Sequence, residues 1–158
     1  MQTFRQSKLL QTCTNMCMPT NNSIRNIESF IPQRPPIVMV EEFEYKDETS
    51  CHSALTISHN NIFLDERNHM IAEGILEHIA QTAAVYIGYR RKLCNEKVNF
   101  GYIGDIKRCS IFEPMPTTGQ KLETDVRIVS QIENITMISA ETRVNGQTIV
   151  NCRMKLAN

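Results

Sequence analysis

One segment limits the possible folds more than any other: residues 70–93 are rich in apolar residues and long enough for a helix of several turns. Glu73 near its start and Arg90, Arg91 and Lys92 near its end suit the dipole of such a helix. A helix that is apolar on every side is stable only where other parts of the chain cover it. The sequence therefore predicts one buried central helix. Its apolar residues form no single stripe: Ile71, Ile75, Leu76, Ile79, Ala83, Val85 and Ile87.

The residues that would cover this helix follow a period of two, which is typical of strands with one buried face. Apolar and polar residues alternate in residues 121–130, 138–144 and 150–156, and Asn145-Gly146 supplies a two-residue hairpin turn. Two more strands are predicted ahead of the helix, one starting at residues 37–40 and one in residues 50–58. The sequence thus predicts an α+β fold in which a curved antiparallel sheet wraps a long central helix.

The length of 158 residues fits one domain. Residues 1–28 are rich in polar residues and lack periodicity, which predicts a flexible N-terminal arm ahead of a single domain in residues 29–158. The first 20 residues contain no apolar core of a secretory signal. No stretch of about 20 apolar residues could span a membrane. We therefore expect a cytoplasmic protein without a membrane span.

Composition argues against several partners and cofactors. The 17 basic and 17 acidic side chains cancel, whereas nucleic-acid binders usually carry a basic excess. The six cysteines lack the spacing of zinc modules, so we expect free thiols and no metal site. Neither the phosphate-binding loop nor the dinucleotide fingerprint G-x-G-x-x-G is present, so no cofactor is predicted.

Glu77 is the first candidate for chemistry, because it lies between Leu76 and Ile79 in the most apolar segment. A carboxylate buried there must be paired, protonated or functional. Gln81 lies one helical turn later on the same face and could orient it. The alternative is that Glu77 meets solvent or an arginine at a gap in the sheet.

His69 and His78 are the candidate partners of Glu77 in acid–base catalysis. His78 follows Glu77 directly, so its side chain would point about 100° away around the helix. His69 could reach Glu77 only from a non-helical loop, or from another subunit. His69, Glu73 and Glu77 also stand at intervals of four, a row that suggests a metal site but arises easily by chance.

Gly101 and Gly104 fall within a strand-like run after the helix. Glycine in a strand often marks close approach by a ligand or by another backbone. A nucleophilic pair of cysteine and histidine also stays open, since the scattered cysteines offer no preferred candidate.

Three segments carry a resemblance to the hotdog-fold 3-hydroxyacyl-acyl-carrier-protein dehydratases. Residues 31–43, IPQRPPIVMVEEF, resemble the opening L-P-H-R-x-P-x-x-L-x-D strand of that family. Residues 76–84, LEHIAQTAA, are similar to its central-helix E-A-M-A-Q motif, with Glu77 and Gln81 on the matching positions. Residues 100–122 resemble the glycine-bearing strand and the turn that follows it. The chain looks most similar to the divergent dehydratase-like members of aryl-polyene and related lipid pathways.

The chain departs from that family at the histidine half of its site. The family carries H-F-P-G before the helix, and that histidine is the catalytic base, placed against the Glu of the dimer partner. Here residues 63–70 lack the motif, and Gln33 replaces the opening histidine. The resemblance thus implies the half of the site that supplies the Glu. His69 is the candidate for the half that supplies the histidine.

The resemblance implies elimination of water from a 3-hydroxyacyl thioester. Glu77 would be the acid, Gln81 would hold it, His69 would be the base, and backbone N–H groups near Gly74 would polarise the thioester carbonyl. Three functions stay open. They are a dehydratase acting on acyl-carrier-protein thioesters as a hotdog homodimer or heterodimer, a non-catalytic or half-site subunit paired with a related hotdog chain, and a hotdog acyl thioesterase.

The neutral total conceals an uneven charge distribution. Residues 1–79 hold 6 basic and 10 acidic side chains, and residues 80–158 hold 11 and 7. Arg90, Arg91 and Lys92 begin the basic excess, which an acidic acyl carrier protein would fit. The alternative is a solvated helix end.

Overall fold

The computed structural model describes residues 23–97 and 101–157, and these form one long helix packed on an antiparallel sheet. The sheet order in the described residues is β1-β2-β3-β5-β6-β7-β4. The predicted α+β hotdog class, a central helix wrapped by an antiparallel sheet, is confirmed. In chain order the elements are β1 (Ser23–Ile24), a 3-10 helix (Ile27–Ser29), β2 (Glu42–Asp47), β3 (Ser50–Thr56), α1 (Ala72–Leu93), β4 (Tyr102–Ile111), β5 (Lys121–Ile132), β6 (Ile135–Val144) and β7 (Gln147–Ala157).

Helix α1 is buried on most of its circumference, as its apolar composition predicts. The core side chains of β5, β6 and β7 that face it include Leu122, Ile138 and Met154, each fully buried. The turn between β6 and β7 has positive φ at Asn145 and Gly146, which is the backbone of a tight hairpin. Alternating residues of these strands supply the layer that covers the helix.

Residues 37–40 do not begin a strand, so that prediction is wrong: the strand starts at Glu42. The physical reason lies on helix α1, because side chains of the helix bind this segment where a neighbouring strand would otherwise do so. The Gln81 amide accepts a hydrogen bond from the Met39 N–H and donates one to the Ile37 carbonyl, both at 2.7 Å. Residues 37–40 therefore form an extended strap over the helix.

The described chain is already folded before residue 29. Ser23 and Ile24 pair with β2, and Ile27 is buried in the core. Residues 23–28 of the predicted arm thus include residues that pair and pack with the domain, and the rest of that arm, residues 1–22, lies outside the described residues. No helix within residues 23–97 or 101–157 is long and apolar enough to cross a membrane.

Strand β4 is an edge of the sheet, and all ten of its residues are exposed. Ile103, Ile106 and Ile111 stand directly opposite Leu156, Met154 and Val150 of β7. The β7 residues are at most 4% exposed, whereas the three isoleucines are 39–41% exposed. Opposed residues share a face of the sheet, so β4 carries an apolar face that nothing in the described chain covers.

Candidate functional site

A cavity of about 500 Å³ runs along one stripe of helix α1. The stripe comprises Glu77, Ala80, Gln81, Ala84, Ile87, Gly88 and Arg91, spaced by three or four residues as one helical face requires. Phe30 and Gln33 form one wall, and residues 101–103 form the other. The cavity is mostly apolar, with the Glu77 carboxylate and the Gln81 amide toward one end of the stripe and Arg91 at the other.

Glu77 lies in this cavity and is held by Gln81, as predicted from their spacing. The Gln81 Nε2 atom donates a hydrogen bond of 2.7 Å to Glu77 Oε1. The same amide is fixed by the strap through Met39 and Ile37. Because both ends of the Gln81 amide are bonded to the strap, its orientation is set by the backbone, and Gln81 in turn holds the Oε1 atom of Glu77.

His78 is buried and belongs to the fold. Its Nδ1 atom donates a hydrogen bond to the Met39 carbonyl, so the proton of the neutral ring is on Nδ1. Its Nε2 atom lies 3.4 Å from the hydroxyl of Ser53, which also contacts Thr82 at 2.6 Å. Burial lowers the pKa of His78 to about 4. A neutral imidazole facing away from the cavity is a structural partner of the strap.

His69 lies in the loop before the helix, so the row of His69, Glu73 and Glu77 is not a helical one. The His69 N–H donates to the Asp65 carboxylate at 2.8 Å, and the residue forms an isolated bridge with Thr117. It does not line the cavity that contains Glu77. His69 therefore stays a predicted base. Within one chain it lies outside the cavity that contains Glu77.

The three glycines of the predicted substrate site are placed differently. Gly101 lines the cavity. Gly104 lies in β4, and Gly74 lies at the first turn of α1, where an added Cβ would stand 2.5 Å from the Cβ of Phe63. The Gly74 N–H is already bonded to the Ile71 carbonyl at 3.0 Å. Close packing thus accounts for Gly74, while its predicted role toward a thioester carbonyl stays a prediction.

Of the three predicted partner-binding residues, only Arg91 lines the cavity. The Arg90 guanidinium donates to the Glu48 carbonyl at 2.8 Å and to the Tyr86 hydroxyl at 3.2 Å. The Lys92 ammonium lies 4.9 Å from the centre of the Phe30 ring. Arg90 and Lys92 therefore have contacts within the chain.

Sequence reasoning missed Gln33 as a cavity residue. In the sequence Gln33 stands only as a replacement for a histidine of the related enzymes, whereas in the structure it lines the cavity with Glu77. Its Oε1 atom is buried and has no hydrogen-bond partner among the described residues. A polar residue among the prolines of residues 32–36 was the available signal.

The described residues contain no group of three or more His, Cys, Asp or Glu side chains that could hold a metal. Cys51, Cys109 and Cys152 are free thiols, whereas Cys94 is disulfide-bonded. The expectation of a free thiol is thus wrong at Cys94.

Comparison with solved structures supports the hotdog fold. The chain is similar to the dehydratase heterocomplex ApeI:P from Xenorhabdus doucetiae, with a TM-score of 0.78 and 21% identity over 84% of this chain and 90% of that chain. It is also similar to the PaaI protein of the phenylacetic acid degradation operon of E. coli, with a TM-score of 0.55 and 14% identity over 73% and 81%. A hypothetical thioesterase of Streptococcus pneumoniae solved with coenzyme A gives a TM-score of 0.51 and 11% identity over 73% and 82%.

No curated protein matches the sequence. The family described as ApeP-like, ApeP dehydratase, matches residues 25–158, which is most of the chain. This match bears out the resemblance carried by the residues around Glu77 and Gln81. The chain belongs to the ApeP-like dehydratase family.

Proposed function

We propose that this chain is the Glu-bearing half of a dehydratase site that eliminates water from 3-hydroxyacyl thioesters in a polyene lipid pathway. The observation that carries the proposal is Glu77, fixed by Gln81 in an apolar cavity that no histidine of the described residues lines. A base removes the C2 proton, protonated Glu77 gives a proton to the C3 hydroxyl, and water and a 2-enoyl thioester leave. The base that removes the C2 proton comes from a partner subunit.

The free apolar face of β4 supports a hotdog partner for this chain. An exposed edge strand presents unpaired N–H and C=O groups that pair readily with another strand. Ile103, Ile106 and Ile111 add apolar area on the same strand. A related subunit docked there would stand beside Gly101 and Tyr102, which belong to the cavity wall. The similar ApeI:P protein is a heterocomplex of dehydratase subunits, which favours a related but different chain over a second copy.

The length of the cavity supports a thioester carried on a long arm. Arg91 follows Glu77 by 14 residues, which is about 21 Å along a helix. A substrate with its thioester near Glu77 would thus reach Arg91 through an extended segment of about that length. The guanidinium suits a phosphate group or an acidic carrier-protein surface.

The test of the reaction uses the purified chain alone, and the chain mixed with a hotdog subunit that carries H-F-P-G. Each is incubated with a 3-hydroxyacyl carrier protein, and loss of water is followed by mass spectrometry. We expect turnover only from the mixture, and a fall of at least about 100-fold with Glu77→Gln. Glu73→Gln is the matched control, because Glu73 is exposed on the same helix, and it should change the rate by less than about twofold.

Three outcomes would overturn the proposal. Turnover that survives Glu77→Gln would remove Glu77 from the mechanism, and full activity of the chain alone would remove the partner. Release of the acyl chain as a free acid would identify a thioesterase instead.

The arm-binding role of Arg91 is tested by the same assay at low and high salt. Arg91→Ala should raise KM for the carrier-bound substrate about tenfold at low salt, with a weaker effect at high salt, and leave kcat within about twofold. Lys92→Ala is the control, because Lys92 lies next to Arg91 but outside the cavity. Equal effects of the two substitutions would contradict a specific role for Arg91.

A further inference from the structure

Two thiols face each other across the outermost strand pair of the sheet. Cys109 of β4 is directly opposite Cys152 of β7 in the antiparallel register. Cys109 is exposed and Cys152 is buried, and both are free thiols. Neither contributes to the cavity that contains Glu77, so the proposed dehydratase site does not explain their pairing.

The hydrogen-bond pattern of the two strands defines the geometry of this pair. The Phe112 N–H donates to the Ile149 carbonyl at 2.8 Å, which makes Phe112 and Ile149 a hydrogen-bonded pair of the ladder. Hydrogen-bonded and non-hydrogen-bonded pairs alternate along antiparallel strands. Cys109 and Cys152 are three positions away from that pair, so they form a non-hydrogen-bonded pair.

The non-hydrogen-bonded position brings opposed residues closest together. Their Cα atoms are typically about 4.5 Å apart, within the range of about 4.4–6.8 Å that disulfides span. Burial, together with the charge of Cys109 and a hydrogen bond to it, raises the pKa of Cys152 to about 12. The register thus places the two side chains next to each other on one face of the sheet.

We propose that Cys109 and Cys152 form a dithiol site that is oxidised by low-molecular-weight disulfides to a cross-strand disulfide. The exposed Cys109 thiolate attacks the small disulfide, forms a mixed disulfide and releases one small thiolate. Cys152 then loses its proton to solvent and attacks the Cys109 sulfur, which releases the second small thiolate. Two protein thiols are oxidised, and one small disulfide is reduced to two thiols.

The order of these two steps follows from exposure. While no partner is docked on β4, Cys109 on this edge strand is open to a small disulfide, whereas Cys152 is 4% exposed and reachable only from Cys109. The resulting bond would tie β4 to β7, its one neighbour in the described sheet. Exchange of the β4 amide protons should therefore slow by about tenfold or more on oxidation.

The test treats the full chain with glutathione disulfide and maps its peptides without reduction. We expect a mass loss of about 2 Da, from two hydrogen atoms, and a peptide link between Cys109 and Cys152. Peptide mapping separates this link from the bond that involves Cys94. Cys51, a buried thiol whose pKa burial also raises, should stay reduced and serves as the control within the same molecule.

Two variants make the outcome decisive. Cys109→Ser should leave Cys152 unmodified in the folded chain, and Cys152→Ala should stop the reaction at a Cys109–glutathione mixed disulfide. The proposal fails if the unsubstituted chain also stops at that mixed disulfide. It fails equally if Cys152 reacts in the Cys109→Ser chain, because Cys152 would then be reached without its partner.

Discussion

Polar residues that are close together on helix α1 have different roles: some line the cavity, and one is buried in the fold. Glu77 and Gln81 face the cavity, whereas His78 is buried against the strap formed by residues 37–40. The pattern around Glu77 was sufficient to find it, because a carboxylate within an apolar helix requires an explanation. Helix geometry also turned His78 away from Glu77, but the sequence could not show what His78 binds, since the Met39 carbonyl lies 39 residues away along the chain.

The neutral state of His78 makes the stability of the protein depend on pH. An unfolded histidine takes up a proton near pH 6.5, whereas folded His78 does so only near pH 4. Between these values the unfolded chain binds more protons, so the free energy of unfolding falls as the pH falls through this window. We expect this group to contribute a loss of at most about 3 kcal/mol, measured by urea unfolding at pH 7.5 and pH 4.5 with circular dichroism.

Two substitutions separate this effect from other titrating groups. His78→Gln keeps a donor for the Met39 carbonyl but cannot be protonated, so its unfolding free energy should vary less between the two pH values. His59→Gln, at an exposed histidine, should keep the dependence of the unsubstituted chain. An unchanged pH dependence in His78→Gln would show that its protonation does not limit stability.

Most helices and strands were predictable from the sequence. The exception is residues 37–40, and its cause is hydrogen bonding to side chains of helix α1. The central helix, the Asn145-Gly146 hairpin and the last three strands follow from residue periodicity, because each buries one face against the core. Residues 37–40 are as apolar and β-branched as a strand, yet they are bonded by Gln81 and His78 from the helix. A contact over about 40 residues of sequence leaves no local signal.

Gly88 is where the helix and the N-terminal segment come closest. A Cβ added there would lie 2.1 Å from the Phe30 carbonyl oxygen, a backbone atom that cannot turn away. Alanine normally stabilises a helix by about 1 kcal/mol relative to glycine, but overpacking should reverse the sign. We expect Gly88→Ala to lower the free energy of unfolding by at least about 2 kcal/mol, measured by urea unfolding.

The matched control for Gly88→Ala is Gly104→Ala. A Cβ at Gly104 would meet the Lys155 carbonyl oxygen at 3.5 Å, which is an ordinary contact. Its unfolding free energy should change by less than about 1 kcal/mol. A neutral or stabilising Gly88→Ala would mean that residues 27–31 do not pack on the helix as described.

At the scale of the whole molecule, one end of the described sheet is an edge strand whose ten residues are all exposed and whose isoleucines lie opposite buried residues of β7. The sequence could not show this, because β4 is an ordinary strand-like run, and its isoleucines at positions 103, 106 and 111 do not indicate whether their face is covered. Whether such a face is covered depends on the position of its strand in the sheet, and that position depends on the topology of the whole fold. A second chain is the simplest cover, since a large exposed apolar face on a folded protein marks an interaction surface.

Ile106→Lys tests this assignment directly. Ile106 is 39% exposed in the isolated chain, so the substitution should change the unfolding free energy of the separate chain by less than about 1 kcal/mol. In an assembly through β4 it would place an ammonium group in an apolar interface, and the dissociation constant should rise at least tenfold. Sedimentation velocity of the chain alone, and of its mixture with a hotdog subunit carrying H-F-P-G, measures both cases.

Ile132→Lys, at a residue that is 70% exposed on β5, is the matched control. Assembly that is weakened equally by both substitutions, or by neither, would exclude β4 as the interface.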